Sequence, residues 1–326
     1  EKTVDESEYL EGIINFSNKN SDLYLTSSFV DNNSNKNIFT RTEKIVLDSN
    51  NDNVFLMPIV LNDQMMMCEG NSFKSVVNYG GMIPFDNNNY DILIPITDTT
   101  LEKLLVKVIS RKDTILSTIV QQFETTPFKF IECENKIFLQ EFTGTKKFNK
   151  FYLKNLTPKL KEGFTEIYVS NSENLNQKKV FKLIVKWIKK PKSLHDPEKA
   201  LRLLQFVIKE DSIKKLLNLS KNYDSILNNY WKPLDPTPET EFNELMAEFY
   251  QRVDYAEENF YSISGTKGIE SDRGRVYILY GKPSSIKRVT TSDKKISEIW
   301  EYSRLNKQFI FVDERGTGDY ILKSTK

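Results

Sequence analysis

Six carboxylates crowd the C-terminal part of the chain: Glu257, Glu258, Glu270, Asp272, Asp313 and Asp319. Carboxylates in pairs can divide acid and base duty in glycoside cleavage, or gather a hard cation on their oxygens. Asp272 is the best placed of them. It sits against Arg273 with Arg275 close by, and basic neighbours hold a carboxyl in its ionised form, which suits a proton donor poorly. The same charges suit a fastening, in which Asp272 caps backbone amides or pairs with Arg252, Arg273 or Arg275.

Other chemistry finds less material. His195 is the only histidine, and no nucleophile elbow accompanies it for triad work. The two cysteines, Cys68 and Cys133, lie far apart and form no CxxC. They are too few for a disulfide scaffold, make no familiar zinc site, and remain able to bridge two parts of the chain. No phosphate-cradling glycine loop occurs, and no metal or cofactor is expected. The aromatics Tyr255, Phe260, Tyr277, Tyr280, Trp300 and Tyr302 read first as core, and alternatively as the lining of a carbohydrate or peptide groove.

The elements that must position these residues can be read in outline. Asp235-Pro236-Thr237-Pro238-Glu239 offers a capping hydroxyl before a proline and predicts a helix from 239 to about 262. Phe242, Leu245, Met246, Phe249, Val253, Ala256 and Phe260 give it an apolar side. Gly265 and Gly268 stop it. Val276-Tyr277-Ile278-Leu279-Tyr280 has no polar alternation and predicts a central strand covered on both faces, ended by Gly281-Lys282-Pro283.

Upstream, an acidic end (1–20) containing the apolar run 9–16 precedes β-rich runs at 23–30, 38–47, 54–61, 72–78 and 90–96. Asn, Asp, Gly and Ser clusters separate them. A second series follows at 101–110, 114–123, 128–133, 136–142, 150–153, 163–170 and 180–187. Two antiparallel, immunoglobulin-like β-sandwich domains, 1–97 and 98–190, are the expected arrangement. Met65-Met66-Met67 reads as a packing loop or sheet edge rather than a soft metal site. The basic, proline-containing run Lys189–Ser193 reads as a linker. Helices at 198–208 and 211–219 and the segment 222–231 then lead to the long helix. Strands at 286–290, 296–302, 308–312 and 320–322 complete an α+β C-terminal domain, 191–326.

Gly268-Ile269-Glu270-Ser271-Asp272, then Arg273-Gly274-Arg275-Val276-Tyr277 and Tyr280-Gly281-Lys282-Pro283, resembles the signature of the GWxTD domain family. Trp231, the Asp235–Pro238 run, Arg252, Tyr255, Phe260, Glu298-Ile299-Trp300, Tyr302, Phe311-Val312-Asp313 and Gly318-Asp319-Tyr320 extend the resemblance over about 228–326. Ile269 stands where the signature has Trp, and Ser271 where it has Thr; the hydroxyl is kept and the indole is not. The resemblance implies an α+β C-terminal domain and a bacterial envelope context, and brings no reaction with it. Its signature positions here are Arg252, Tyr255, Gly268, Ser271, Asp272, Arg273, Gly274, Arg275, Tyr277, Gly281, Pro283 and Trp300.

Charge is balanced, 46 basic against 45 acidic residues, which argues against general nucleic-acid binding. No run reaches the roughly 18 apolar residues of a membrane helix. A chain beginning at Glu1 fits a removed signal peptide and a periplasmic, outer-membrane-associated or extracellular place. The expectation is a non-enzymatic structural or protein-interaction subunit of an envelope or extracellular assembly. An envelope glycan or peptide hydrolase using carboxylates near Asp272, and a carbohydrate- or peptide-binding module, are the alternatives.

Overall fold

The computed structural model describes residues 22–31, 33–46, 54–79, 81–290 and 293–326. The runs expected at 1–20, including 9–16, lie outside the described residues. The chain divides into two compact units, Glu1–Ile188 and Lys189–Lys326.

The first unit is all β. A hairpin of β1 (Asp22–Asp31) and β2 (Lys36–Val46) forms a two-stranded sheet of its own. Twelve further strands follow: β3 (Ile59–Cys68), β4 (Asn71–Tyr79), β5 (Met82–Pro84), β6 (Tyr90–Ile96), β7 (Leu104–Ser110), β8 (Asp113–Val120), β9 (Phe123–Thr126), β10 (Phe128–Cys133), β11 (Lys136–Glu141), β12 (Phe148–Leu153), β13 (Gly163–Asn171) and β14 (Lys178–Lys186). They build a seven-stranded sheet, order β10-β11-β4-β3-β6-β12-β9, and a five-stranded sheet, order β5-β14-β13-β7-β8.

Both sheets draw strands from either side of residue 97, so the two separate domains expected at 1–97 and 98–190 do not exist. One core joins the sheets instead. Ile92, Ile94 and Ile96 of β6 meet Val106 and Val108 of β7, Ile167 and Val169 of β13, and Leu183 and Val185 of β14. The two series of β-rich runs in the sequence therefore interleave in space. Alternating patterns fix which face of a strand is buried, but not which strand lies beside it.

The seven-stranded sheet curls on itself. β9 and β10 lie at its opposite ends, yet only Pro127 separates them in sequence. Proline cannot donate to a ladder, so the run breaks there. Its first half pairs with β12 and its second with β11, which draws the two ends of the sheet together. Phe128 and Phe148 pack at the seam with ring centroids 5.2 Å apart. Inside the curl lie Ile59, Leu61, Val76, Leu93 and Leu139, covered by Phe128, Phe130, Ile137 and Tyr152. This is why every residue of β6 is buried: its even-numbered side chains face the sandwich core and its odd-numbered ones face the curl. Cys68, ending β3, and Cys133, ending β10, are joined as a disulfide with Cα atoms 6.0 Å apart. The methionine triplet belongs to β3, with Met65 and Met67 exposed.

The second unit is α+β. Helices α1 (Pro197–Leu203), α2 (Glu210–Leu219), α3 (Tyr223–Trp231), α4 (Glu244–Asn259) and α5 (Asp272–Tyr280) precede a four-stranded antiparallel meander. Its strands are β15 (Ser285–Thr290), β16 (Ile296–Tyr302), β17 (Lys307–Asp313) and β18 (Tyr320–Thr325). No helix among the described residues is long and apolar enough to cross a membrane.

Two expectations fail here. The long helix starts at Glu244, not 239, because Asn243 is its cap and accepts from the Met246 amide at 2.8 Å. Thr237 and Pro238 belong to a turn before it, where the Thr237 hydroxyl donates to the Glu244 carboxylate at 2.7 Å. Val276–Tyr280, expected as a strand, is the last half of α5. Its β-branched and aromatic content favours a strand, but Ser271 caps the run at one end and Gly281, at φ +75°, ends it at the other. End signals at both termini outweigh a five-residue propensity.

Candidate functional site

The signature residues gather where α4, α5 and the meander meet. Two of its glycines are there because backbone passes over backbone. A Cβ on Gly268 would come within 2.0 Å of the Ala256 carbonyl oxygen on α4, and one on Gly274 within 1.9 Å of the Gly268 carbonyl oxygen. The turn 268–270 is thereby wedged between the two helices. Ser271 locks it: its Oγ accepts from the Gly274 amide at 3.0 Å and donates to the Gly268 carbonyl at 2.8 Å. The Ile269 amide donates to Glu257 at 3.2 Å.

Charge then ties helix to sheet. Asp272 Oδ2 accepts from the Leu322 amide of β18 at 2.8 Å, so it does cap a backbone amide, though one fifty residues away in the chain. Arg273 is buried. Its guanidinium lies 4.0 Å from the Tyr320 ring centroid and 5.3 Å from that of Phe260, donates to the Gly318 carbonyl at 3.1 Å, and reaches Glu298 at 3.4 Å. Glu298 is only 2% exposed. It also accepts from Arg288 at 2.8 Å and from the Trp300 indole at 3.2 Å. The bond to Glu298 holds the Arg288 guanidinium more firmly protonated than usual. Burial, then the Glu298 charge, pushes the Tyr320 hydroxyl up.

Arg252 finishes the other end of α5. It donates to the Ile278 and Leu279 carbonyls at 3.3 Å each and pairs with Glu248. A cation on the last carbonyls of a helix satisfies groups that have no acceptor role within it and complements the helix dipole. Gly281 lies beside that guanidinium, and its carbonyl accepts from the Tyr302 hydroxyl at 2.8 Å. Pro283 is buried just beyond.

Aromatic rings fill the space between. Tyr255 and Tyr277 stack at 4.5 Å, with planes 18° apart. Phe260 links that stack to Trp300, at 5.5 Å from Tyr277 and 5.3 Å from Trp300. Trp300 is buried against Phe311 as well. These rings form a core, with only Tyr255 well exposed among them.

The remaining candidates fall elsewhere. Asp313 accepts from the Arg315, Thr317 and Gly318 amides and shapes the turn into β18. Glu258 pairs with Lys192 at 2.6 Å, and Glu270 with Lys267 at 3.8 Å. Arg275, a candidate partner for Asp272, is exposed on α5. His195 is exposed in a single turn before α1. Among the described residues no three His, Cys, Asp or Glu side chains converge as a metal site would require.

Glu298, Arg288, Tyr320 and Gly318 are the members of the cluster that were not singled out as site residues. The signal for Glu298 was present. In β16 it shares parity with Trp300 and Tyr302, which face the core, and a carboxylate on the buried side of a strand must bring its own partners.

The geometry defines a class: an α+β domain in which a two-helix corner is fastened to an antiparallel meander by one buried carboxylate and the arginines around it. Residues 166–323 match the family model for the GWxTD domain. The match begins in β13, upstream of the 228–326 resemblance. No curated protein and no solved structure matches the chain.

Proposed function

We propose that this protein is a non-enzymatic structural or protein-interaction subunit of a bacterial envelope or extracellular assembly. One observation carries the reading. The β1–β2 hairpin pairs ten residues of one strand against the other and, among the described residues, pairs with no other strand. Tyr24, Phe29, Val30, Ile38 and Phe39 are all exposed on it. A lone two-stranded sheet is marginal in water, and its two open edges are templates for another chain. Such an arm is stable in a partner's grasp.

The Cys68–Cys133 disulfide supports an oxidising compartment, where bonded cysteines persist. A periplasmic, outer-membrane-associated or extracellular place, reached through a removed signal peptide, fits that chemistry. An immunoglobulin-like character for the sandwich fits its shared core between two largely antiparallel sheets. At the signature, Asp272, Glu298 and Asp313 each hold specific partners, which supports a fastening there.

Native mass analysis of the tagged chain isolated from envelope extracts tests this. The expected result is a stoichiometric companion chain or self-assembly that disappears when Phe29→Ser and Phe39→Ser are introduced together. A solitary monomer in both preparations overturns it.

A further inference from the structure

The curled sheet of the first unit holds a second charge cluster, built the opposite way from the one at the signature. Lys150 of β12 is 0% exposed. It lies on the strand face that carries Phe148 and Tyr152, turned into the curl. Its amine meets two carboxylates: Glu124, its cross-strand partner on β9, at 3.1 Å, and Glu141, at the end of β11. Glu124 lies on the end strand β9 and Glu141 on β11, next to the other end strand β10, so the amine spans the seam. Both acids remain about half open to water, with side chains 61% and 45% exposed. The Tyr152 ring stands 6.0 Å from the amine, and Lys74, paired with Asp91, lies 5.8 Å from the same ring. Burial, then Glu124, Glu141 and Asp91, pushes the Tyr152 hydroxyl up.

One amine confined between two carboxylates is the minimum constellation for an amide cross-link. One acid is joined and the other carries protons. We propose that Lys150 and Glu141 form an intramolecular isopeptide bond, with Glu124 as the proton carrier. The step balances without an outside reactant. The Lys150 ammonium passes a proton to the Glu141 carboxylate, giving a neutral amine and a neutral acid. Nζ attacks Cδ of Glu141, and Glu124 takes a second proton from the nitrogen. That proton leaves with the Glu141 hydroxyl as water when the tetrahedral centre collapses. Ammonium and carboxylate become an amide and one water, and Glu124 ends as it began.

Two features favour this pair over Lys74 and Asp91. Lys150 is the more deeply buried amine, and it alone has two acids on its nitrogen, which supplies the proton carrier as well as the acyl group. The open side of the acids lets the water leave. The bond would join β12 to β11 and close the seam of the sheet covalently, beside the end strand β10 that the disulfide ties to β3.

Mass spectrometry of the reduced, denatured full chain tests the assignment. The expected mass is that of the sequence less one water. Trypsin should yield residues 137–146 joined to residues 148–154, uncut after Lys150, since an acylated lysine is not a trypsin site. Glu124→Gln should restore the full mass and return the two peptides separately. Glu141→Gln keeps an acyl group with ammonia as leaving group and should lose ammonia in place of water. A wild-type chain at its full sequence mass, or a digest cut after Lys150, overturns the proposal. A linked peptide that persists in Glu124→Gln overturns the role given to Glu124.

Discussion

Each unit builds a charge cluster around a deeply buried group, and the two central charges are opposite. In the second unit the buried group is a carboxylate, Glu298, met by the buried Arg273 and the exposed Arg288. In the first it is an amine, Lys150, met by two acids that stay half in water. A guanidinium is planar and always charged, so Arg273 can stack on Tyr320, bond a carbonyl and pair with Glu298 at once. The Glu298 carboxylate and both terminal nitrogens of Arg273 are engaged, while the Arg273 Nε is buried without a hydrogen-bond partner. An ammonium is a point charge on a flexible stem, and two acids compete for it. The comparison separates a fastening from a centre with chemistry left in it. The signature lies in the unit with the fastening.

The largest loss is expected where both partners are buried. Arg273→Ala leaves Glu298 with a surface arginine as its only cation, beside the Trp300 indole, and should cost about 3–5 kcal/mol, the usual range for stranding a buried charge. Urea unfolding of the full chain, followed by tryptophan fluorescence, measures it; Arg273→Lys should recover only part, because the planar stack on Tyr320 is lost. Next comes the covalent staple of the first unit. Replacing Cys68 and Cys133 together by Ser should cost about 2–4 kcal/mol by the same measurement. Combined with Arg273→Ala it should add to that loss, because the sites lie in different units and share no partner. Strong non-additivity would blur the division drawn between the two units. Smaller again is Asp272→Ala, which removes a charged acceptor from the Leu322 amide and should cost about 1.5–3 kcal/mol. Hydrogen exchange gives it a local signature: the Leu322 amide should lose protection before the rest of β18.

How much of this could be read beforehand depends on the range of the interaction. β6 and β10 were legible to the residue, and the meander nearly so, because alternation and turn residues are local. The α+β character of the last unit was legible for the same reason. The single first unit was not, because β5 pairs with β14 and β6 with β12 across long stretches of chain. Pro127 was visible as a strand breaker, but nothing local says that the halves on either side of it choose partners at opposite ends of one sheet. At the signature, Ser271 and Gly281 close the two ends of α5, and the five strand-forming side chains before Gly281 obscure the helix. The charges are legible in the sequence and their partners are not, because those partners are distant. Arg273 takes Glu298 from a strand 25 residues on, and Asp272 takes an amide 50 residues on.

The smallest prediction tests the fastening most directly, because it concerns the arginine left out of it. From sequence, Arg275 belonged with Arg273 beside a buried strand, and removing it would strand a charge. In the helix, one residue turns the chain by about 100°, so two positions on from a buried Arg273 the side chain faces water, and Arg275 is exposed. Arg275→Ala should therefore change stability by no more than about 0.5 kcal/mol, the range of ordinary surface substitutions. Measured beside Arg273→Ala in the same urea titration, it asks whether α5 is a helix at this point. If the two substitutions cost the same, residues 273 and 275 share a face, which is the geometry of a strand. The cap at Ser271, the close pass of Gly274 and the guanidinium on the last carbonyls of α5 would then all have to be given up together.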